Sequence, residues 1–216
     1  MRDGGVLEKY AAPIFGAVLL FFAVPRFAAG VISIFGDSIV LRIESGKPAE
    51  KAGLDVLWSS REYAGRIVES GGNWNEMALA GITMGYKAGW GSAEGPQILE
   101  KTRAAQMKGL SLRPANTFAW MRLSYTAAVS SPPDRALAAA ALAMSYKTGP
   151  FVSGAAAYRL GLCAGLWDLL DPDIRRNAHR EARFLWETNP NALTNMAAKN
   201  AILMDIAQRA ARNIGK

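Results

Sequence analysis

The chain is poor in the residue types that build most small active sites. Its 216 residues include one cysteine, Cys163, and one histidine, His179. A lone cysteine excludes an internal disulfide framework and a cysteine-based zinc site, and a lone histidine excludes every motif that needs two. Charged residues make up 20% of the chain and hydrophobic ones 50%, which removes it from the disordered and low-complexity classes. Lys and Arg number 25 against 18 Asp and Glu, but the excess is spread along the chain rather than gathered into a nucleic-acid-binding stripe. No metal-ligand set and no cofactor-binding signature emerges, so the expectation is a protein without metal or cofactor.

What is present first is a long apolar run. Residues 11–24 carry no charge, Pro25 and Arg26 follow, and 27–35 are uncharged again. As one helix, residues 11–35 would extend about 37 Å, enough to cross a hydrocarbon core of about 30 Å. Arg26 would then lie about 13 Å from the far end of the span, where a charge costs on the order of 2.5 kcal/mol. Snorkelling, or a span shifted to residues 8–25, relieves that cost. A cleaved signal peptide and a buried core helix are the competing readings. No clean small-x-small cleavage site follows the run, and its apolarity at a terminus argues against a core helix, so an uncleaved anchor is expected. The implied division is a tail over 1–10, a membrane anchor over 11–36, a linker over 37–48 and a helical domain over 49–216. Arg2 and Lys9 before the run, and Arg42, Lys47 and Lys51 after it, set no clear inside-positive bias. The expected place is a bacterial inner membrane, crossed once, with the domain on the periplasmic side.

Beyond Gly46-Lys47-Pro48 the pattern is helical almost throughout. Apolar residues recur at three- and four-residue spacings over 49–69, 75–88 and 95–110, with a break at Gly71-Gly72-Asn73. The only β-like run, Ser38 to Ile43, is explained equally by an extension of the membrane helix. Arg113-Pro114, Gly149-Pro150 and Asn189-Pro190 mark helix boundaries, because proline disfavours helix at the residue before it. They frame helices over 116–130, 133–147, 151–170 and 173–188, and a closing helix over 191–213. Acidic residues of Ser131-Pro132-Pro133-Asp134 and Asp171-Pro172-Asp173 are well placed at helix starts. The fold class expected is all-α.

A helix–turn–helix unit of mid-thirties length that ends in proline resembles the tetratricopeptide repeat. Trp120, Leu123 and Ser124 carry the resemblance in the first helix, Ala136 and Ala143 in the second. The repeat's tyrosine falls on Ala127 and its phenylalanine on Ala140. In the next unit Tyr158, Leu160 and Leu162 stand in, and the spacing stretches to 40. The stretch from Arg113-Pro114 to Pro190, under half the chain, also resembles degenerate repeat proteins of bacterial envelope polysaccharide gene clusters. The resemblance implies a stack of antiparallel helix pairs that binds a partner protein. A plain helical bundle is the alternative.

Glu69-Ser70-Gly71-Gly72-Asn73 resembles the start of the lytic transglycosylase motif, in which the glutamate is a general acid held in an apolar cleft. The Gly-Leu-Met-Gln element that should follow is replaced by Gly85-Tyr86-Lys87-Ala88, and the later Tyr-Asn pair is missing. A solvated helix end is the plainer reading. Gly81, Gly85 and Gly89, with Gly91 and Gly95, form a small-residue line suited to close helix packing within the fold. The six tryptophans are scattered and read as core, with a carbohydrate platform as the alternative. His179 falls on the polar side of a helix. Arg175, Arg176, Arg180 and Arg183 offer a contact for anionic lipid headgroups or an anionic glycan, with a solvated face as the default.

The expected function is therefore non-catalytic: a membrane-anchored adaptor that binds a partner protein, placed in envelope polysaccharide assembly by resemblance alone. Asn116, Arg122 and Tyr125 are the candidate partner contacts, and Arg26 is the candidate contact of the membrane helix. The alternatives are a small accessory subunit held through the membrane helix, with Arg26 paired to an acid on a neighbouring helix, and a peptidoglycan-cleaving enzyme that uses Glu69.

Overall fold

The computed structural model describes residues 4–198 and 200–212, with side chains from Tyr10 onward. Arg2, and the side chain of Lys9, lie outside the described residues. Among the described residues the chain is all-helical, without a strand. It opens with α1 (Gly4–Glu44), which runs unbroken past Pro13 and Pro25. Residues 37–44, assigned above to a linker, continue this helix, and the turn comes at Gly46, whose φ of 71° suits glycine.

The body comprises α2 (Lys51–Ile67), α3 (Gly71–Ala88), α4 (Gly95–Leu112), α5 (Thr117–Ala128), α6 (Arg135–Thr148), α7 (Ala156–Leu166), α8 (Pro172–Thr188), α9 (Pro190–Ala197) and α10 (Ala201–Arg212). Short 3₁₀ turns flank α7 on both sides. The three X-Pro pairs are boundaries, as expected. Arg113 and Gly149 end helices, and Asn189 both ends α8 and caps α9, its Oδ1 accepting the Ala192 N–H at 3.1 Å. Two expectations need correction. Gly71 and Gly72 open α3 rather than separating two helices, because a Cβ on Gly71 would press into Arg113 Cγ at 2.7 Å and Gly109 O at 3.0 Å. The closing helix is two helices, because the Asn200 side chain accepts the N–H groups of Ile202 and Leu203 at 2.9 and 3.1 Å and so starts a new one.

Successive helices pack against one another, α1 on α2, α2 on α3, α3 on α4, α5 on α6 and α7 on α8. Helix α5 also touches α3 and α7, and α6 touches α8. Leu123, Ser124 and Ala127 of α5 are buried, whereas Ala136 of α6 is exposed. The close approach on α6 is made by Ala138, Ala141 and Ser145 instead.

Only the second half of α1 belongs to the body. Ala29, Gly36 and Val40 are buried, and a Cβ on Gly36 would stand 2.8 Å from Leu57 Cδ1 and Ser60 Oγ. Arg61 of α2 reaches across this seam. Its Nη1 donates to the carbonyl of Ser33, its Nη2 to Asp37 at 2.5 Å and its Nε to Glu76 at 2.5 Å, so one guanidinium ties α1, α2 and α3. Before Ala29 the helix projects without packing. Ile14, Phe15, Leu20, Phe21, Phe22 and Phe27 are all exposed on it.

Candidate functional site

A concavity of about 570 Å³ lies between α5 and α7. Tyr125 and Ala128 of α5, with Val129 at its end, form one wall, extended by Pro133 of the following turn and by Arg135, the first residue of α6. Helix α7 supplies Tyr158, Leu162 and Leu166, with Ala157, Gly161 and Gly165 between them. The lining is nearly all apolar. Arg135, its charged member, is held by Asp168 at 2.6 Å and by the carbonyl of Gly165 at 3.2 Å, and so closes one end.

The floor is bare helix. A Cβ on Gly165 would meet nothing within 4 Å, and one on Gly161 only Met196 Cε at 3.9 Å. Glycine inside a helix costs roughly 1 kcal/mol relative to alanine, and neighbouring groups do not require it here. Gly81 and Gly85 are different: added carbons there would collide with Thr102 and Trp58, and with Trp90. Gly81, Gly85 and Gly95 of that line of glycines are packed within the fold, whereas Gly89, which ends α3 with a positive φ, and Gly91 face open space. The spacing that identified it, small residues four apart, also recurs at Ala157, Gly161 and Gly165, which the sequence reading passed over.

Among the candidate contacts, Tyr125 lies in the groove wall. Its hydroxyl accepts the Trp90 indole N–H at 2.9 Å, and the two rings meet edge-on at 6.1 Å, which fixes the phenol. Arg122, one helical turn earlier, is half-buried with its guanidinium 6.0 Å from the Phe118 ring. Burial lowers its pKa from the ordinary arginine value, while Glu44 and Glu76 act in the opposite direction. Asn116 does not line the groove. It caps α5, its Oδ1 accepting the Ala119 N–H at 3.0 Å. Arg26 lies on the projecting part of α1, three residues before Ala29, donating to the Phe22 carbonyl at 2.9 Å.

The remaining candidates are placed as follows. Glu69 is exposed in the turn before α3 and ion-paired with Lys108, a wet setting rather than the apolar cleft that a general acid requires. All six tryptophans are half-buried. Arg175 stacks on Trp167 at 5.4 Å, Arg176 pairs with Asp173, and Arg183 pairs with Glu187 at 3.1 Å, so two of the four charges are paired along their own helix. His179 is half-buried and meets Trp167 edge-on at 5.8 Å. Among the described residues, no group of three or more His, Cys, Asp or Glu could hold a metal ion.

Beneath the groove, α7 carries a buried polar cluster. Arg159 bonds Glu181 of α8 and donates to the carbonyl of Gly149 at 2.7 Å, with its guanidinium 4.2 Å from the centre of the Tyr146 ring. Tyr146 donates to the other oxygen of Glu181 at 2.7 Å, and Cys163 Sγ lies 3.6 Å from its hydroxyl. Burial pushes the Cys163 thiol up to about 12, so it is inert as a nucleophile or redox group. No part of this cluster is open to a substrate.

No family model matches the chain, and neither a curated protein nor a solved structure matches it.

Proposed function

We propose that this protein is a non-catalytic adaptor, anchored in a membrane by the first half of α1, which holds a segment of a partner protein in the α5–α7 groove. The observation that carries the reading is the floor of that groove. Gly161 and Gly165 lower helix stability without a packing reason inside the chain, and they leave α7 flat where another backbone can lie on it. The apolar walls, with Tyr158 70% exposed and Tyr125 fixed by Trp90, suit a segment that presents small and aliphatic side chains. The contacts of α5 with α3 and α7 are compatible with a stack of helix pairs like that of a tetratricopeptide repeat, an arrangement suited to holding a partner segment.

The anchor follows from α1. It is one helix long and apolar enough to cross a membrane, and its exposed part over residues 10–27 extends about 27 Å, close to a bilayer core. A span over residues 8–25 puts Arg26 at the membrane surface rather than in its middle, and removes the need for an acid on a neighbouring helix. We place the body on the periplasmic side of a bacterial inner membrane. The further assignment to envelope polysaccharide assembly rests on the resemblance of residues 113–190 alone.

The test is a photoreactive side chain at position 158 of the full-length protein in its native membranes. The expected product is one discrete heavier adduct, reduced at least fivefold by Gly165→Leu, whose Cβ meets nothing within 4 Å inside the chain. Tyr86, exposed on α3, is the control position and should give no such adduct. An adduct that Gly165→Leu leaves unchanged, or none at all, would overturn the reading.

A further inference from the structure

The half of α1 that packs on the body leaves its opposite face open, and that face is apolar. With about 100° per residue, Phe27, Val31, Ile34, Ser38 and Leu41 lie half a turn away from Ala29, Gly36 and Val40. Phe27, Ile34 and Leu41 are between 64% and 75% exposed. The spacing of this stripe alternates strictly between four and three, and it continues back through Val24 and Leu20 into the projecting half of the helix. A sustained period of 3.5 is the seam of paired helices, and Ser38 is its only polar member.

Lipid does not account for the outer end of the stripe. Asp37 and Arg42 flank the seam on its two sides, both exposed, so hydrocarbon over Ile34 to Leu41 would bury both charges. These residues are five apart, at the positions that face each other across a parallel two-stranded seam. Asp37 accepts from Arg61 through Oδ1 yet stays 57% exposed, so two copies in register bring its outer face to Arg42 of the other helix, twice by symmetry. The N-terminal stretch of the same flank is Gly16, Ala23 and Gly30, seven apart. Added carbons on Gly16 and Gly30 meet nothing within 4 Å in the chain, so the small residues are free for close approach.

From this geometry we propose that α1 pairs in parallel with α1 of a second copy along the seam from Leu20 to Leu41, with Asp37–Arg42 pairs closing its outer end. Parallel orientation rests on the anchor reading, because two copies inserted the same way into one membrane meet only with their helices parallel. The two bodies lie on the far sides of the pair, since each packs on the face of α1 opposite the seam.

The test uses the full-length protein in membranes with single cysteines at Ile34, Ser38 or Leu41 under mild oxidation. Native Cys163 is buried and stays reduced. Each of the three should give a disulfide-linked species of twice the chain mass, and Tyr63→Cys, exposed on α2, should give none. Arg42→Asp combined with Ser38→Cys should lower the yield at least threefold, because it sets like charges across the seam. Ser38→Cys is a near-isosteric surface change, so failure to cross-link does not reflect misfolding. Cross-linking at a single position only, equal cross-linking at Tyr63, or an adduct with a different protein would overturn the parallel pair. Alkaline extraction of the same membranes reads insertion separately. A protein that resists extraction but does not cross-link overturns the pairing alone, and one that is extracted yet cross-links overturns the anchor alone.

Discussion

Each half of the body buries one arginine, in opposite surroundings. In α1–α4, Arg61 is 2% exposed, but its carboxylates keep contact with water, Asp37 at 57% and Glu76 at 37%. In α6–α8, Arg159 and Glu181 are both 0% exposed, and Tyr146 completes the network. The apolar packing differs in the same way. Around α1–α4 it falls into small clusters, such as Val40 with Leu57, Leu79 and Ala80, and a further small one, Leu110 with Ala119, Leu123 and Ala141, joins α4 to α5 and α6, whereas the largest core runs from Ala127 through Leu142, Leu160 and Leu193 to Ile206. The half that holds the long apolar helix is joined by contacts that water can replace. The half that forms the groove rests on a dry core in which it cannot.

That contrast sets the order of mutational effects. Arg159→Met strands a buried carboxylate and should cost about 3–5 kcal/mol in urea unfolding, while Arg159→Met with Glu181→Leu should recover most of the loss. Arg61→Met leaves carboxylates that rehydrate at the surface and should cost only about 2 kcal/mol, the worth of a few charge-assisted hydrogen bonds. Equal losses for the two arginines would break the comparison. Gly161→Ala and Gly165→Ala should each stabilise the fold by roughly 0.5–1 kcal/mol, because helix propensity rises and open space receives the methyl. The same changes should weaken partner capture, which separates the groove's use from its stability.

The smallest effect is the pH response of His179. Burial, with the nearby Arg209, lowers its pKa below 6.5, although Asp205 opposes them. The folded state therefore favours the neutral ring, and the unfolded chain binds more protons as the pH falls. This contribution to stability is present above pH 6.5 and is lost as the pH falls through the lowered folded value. Denaturation at pH 7.5 and 5.5 should show a decrease that is smaller in His179→Gln.

Much of this architecture was legible in the sequence. Proline denies helix to the residue before it, so Arg113, Gly149 and Asn189 marked boundaries without tertiary information. Asn200 was missed because the apolar spacing runs straight through it, and only its side-chain bonds to Ile202 and Leu203 reveal a cap. The pair Arg159–Glu181 was invisible for a related reason: periodicity assigns charges to the solvent face, and here two helices turn theirs inward to meet. In the groove, Tyr125 was found through its place beside the repeat-like residues. Gly161 and Gly165 were not, since a glycine required by packing and a glycine left open look alike until the neighbours of the missing carbon are known. The reach of the body onto α1 was hidden as well, because residues 28–44 are as apolar on their free face as on their packed one.

In the proposed reading α1 divides at Ala28, with an anchor before it and a structural helix after it. The direct measurement is to compare the full-length protein with a form that begins at Ala28, by membrane flotation and by thermal unfolding of the released body. The account predicts that the shortened protein leaves the membrane and unfolds in one cooperative transition, while a form beginning at Gly46 loses cooperativity because Leu57, Leu79 and Ala80 are uncovered. A shortened protein that stays with the membrane, or a form from Gly46 as stable as the one from Ala28, would contradict it.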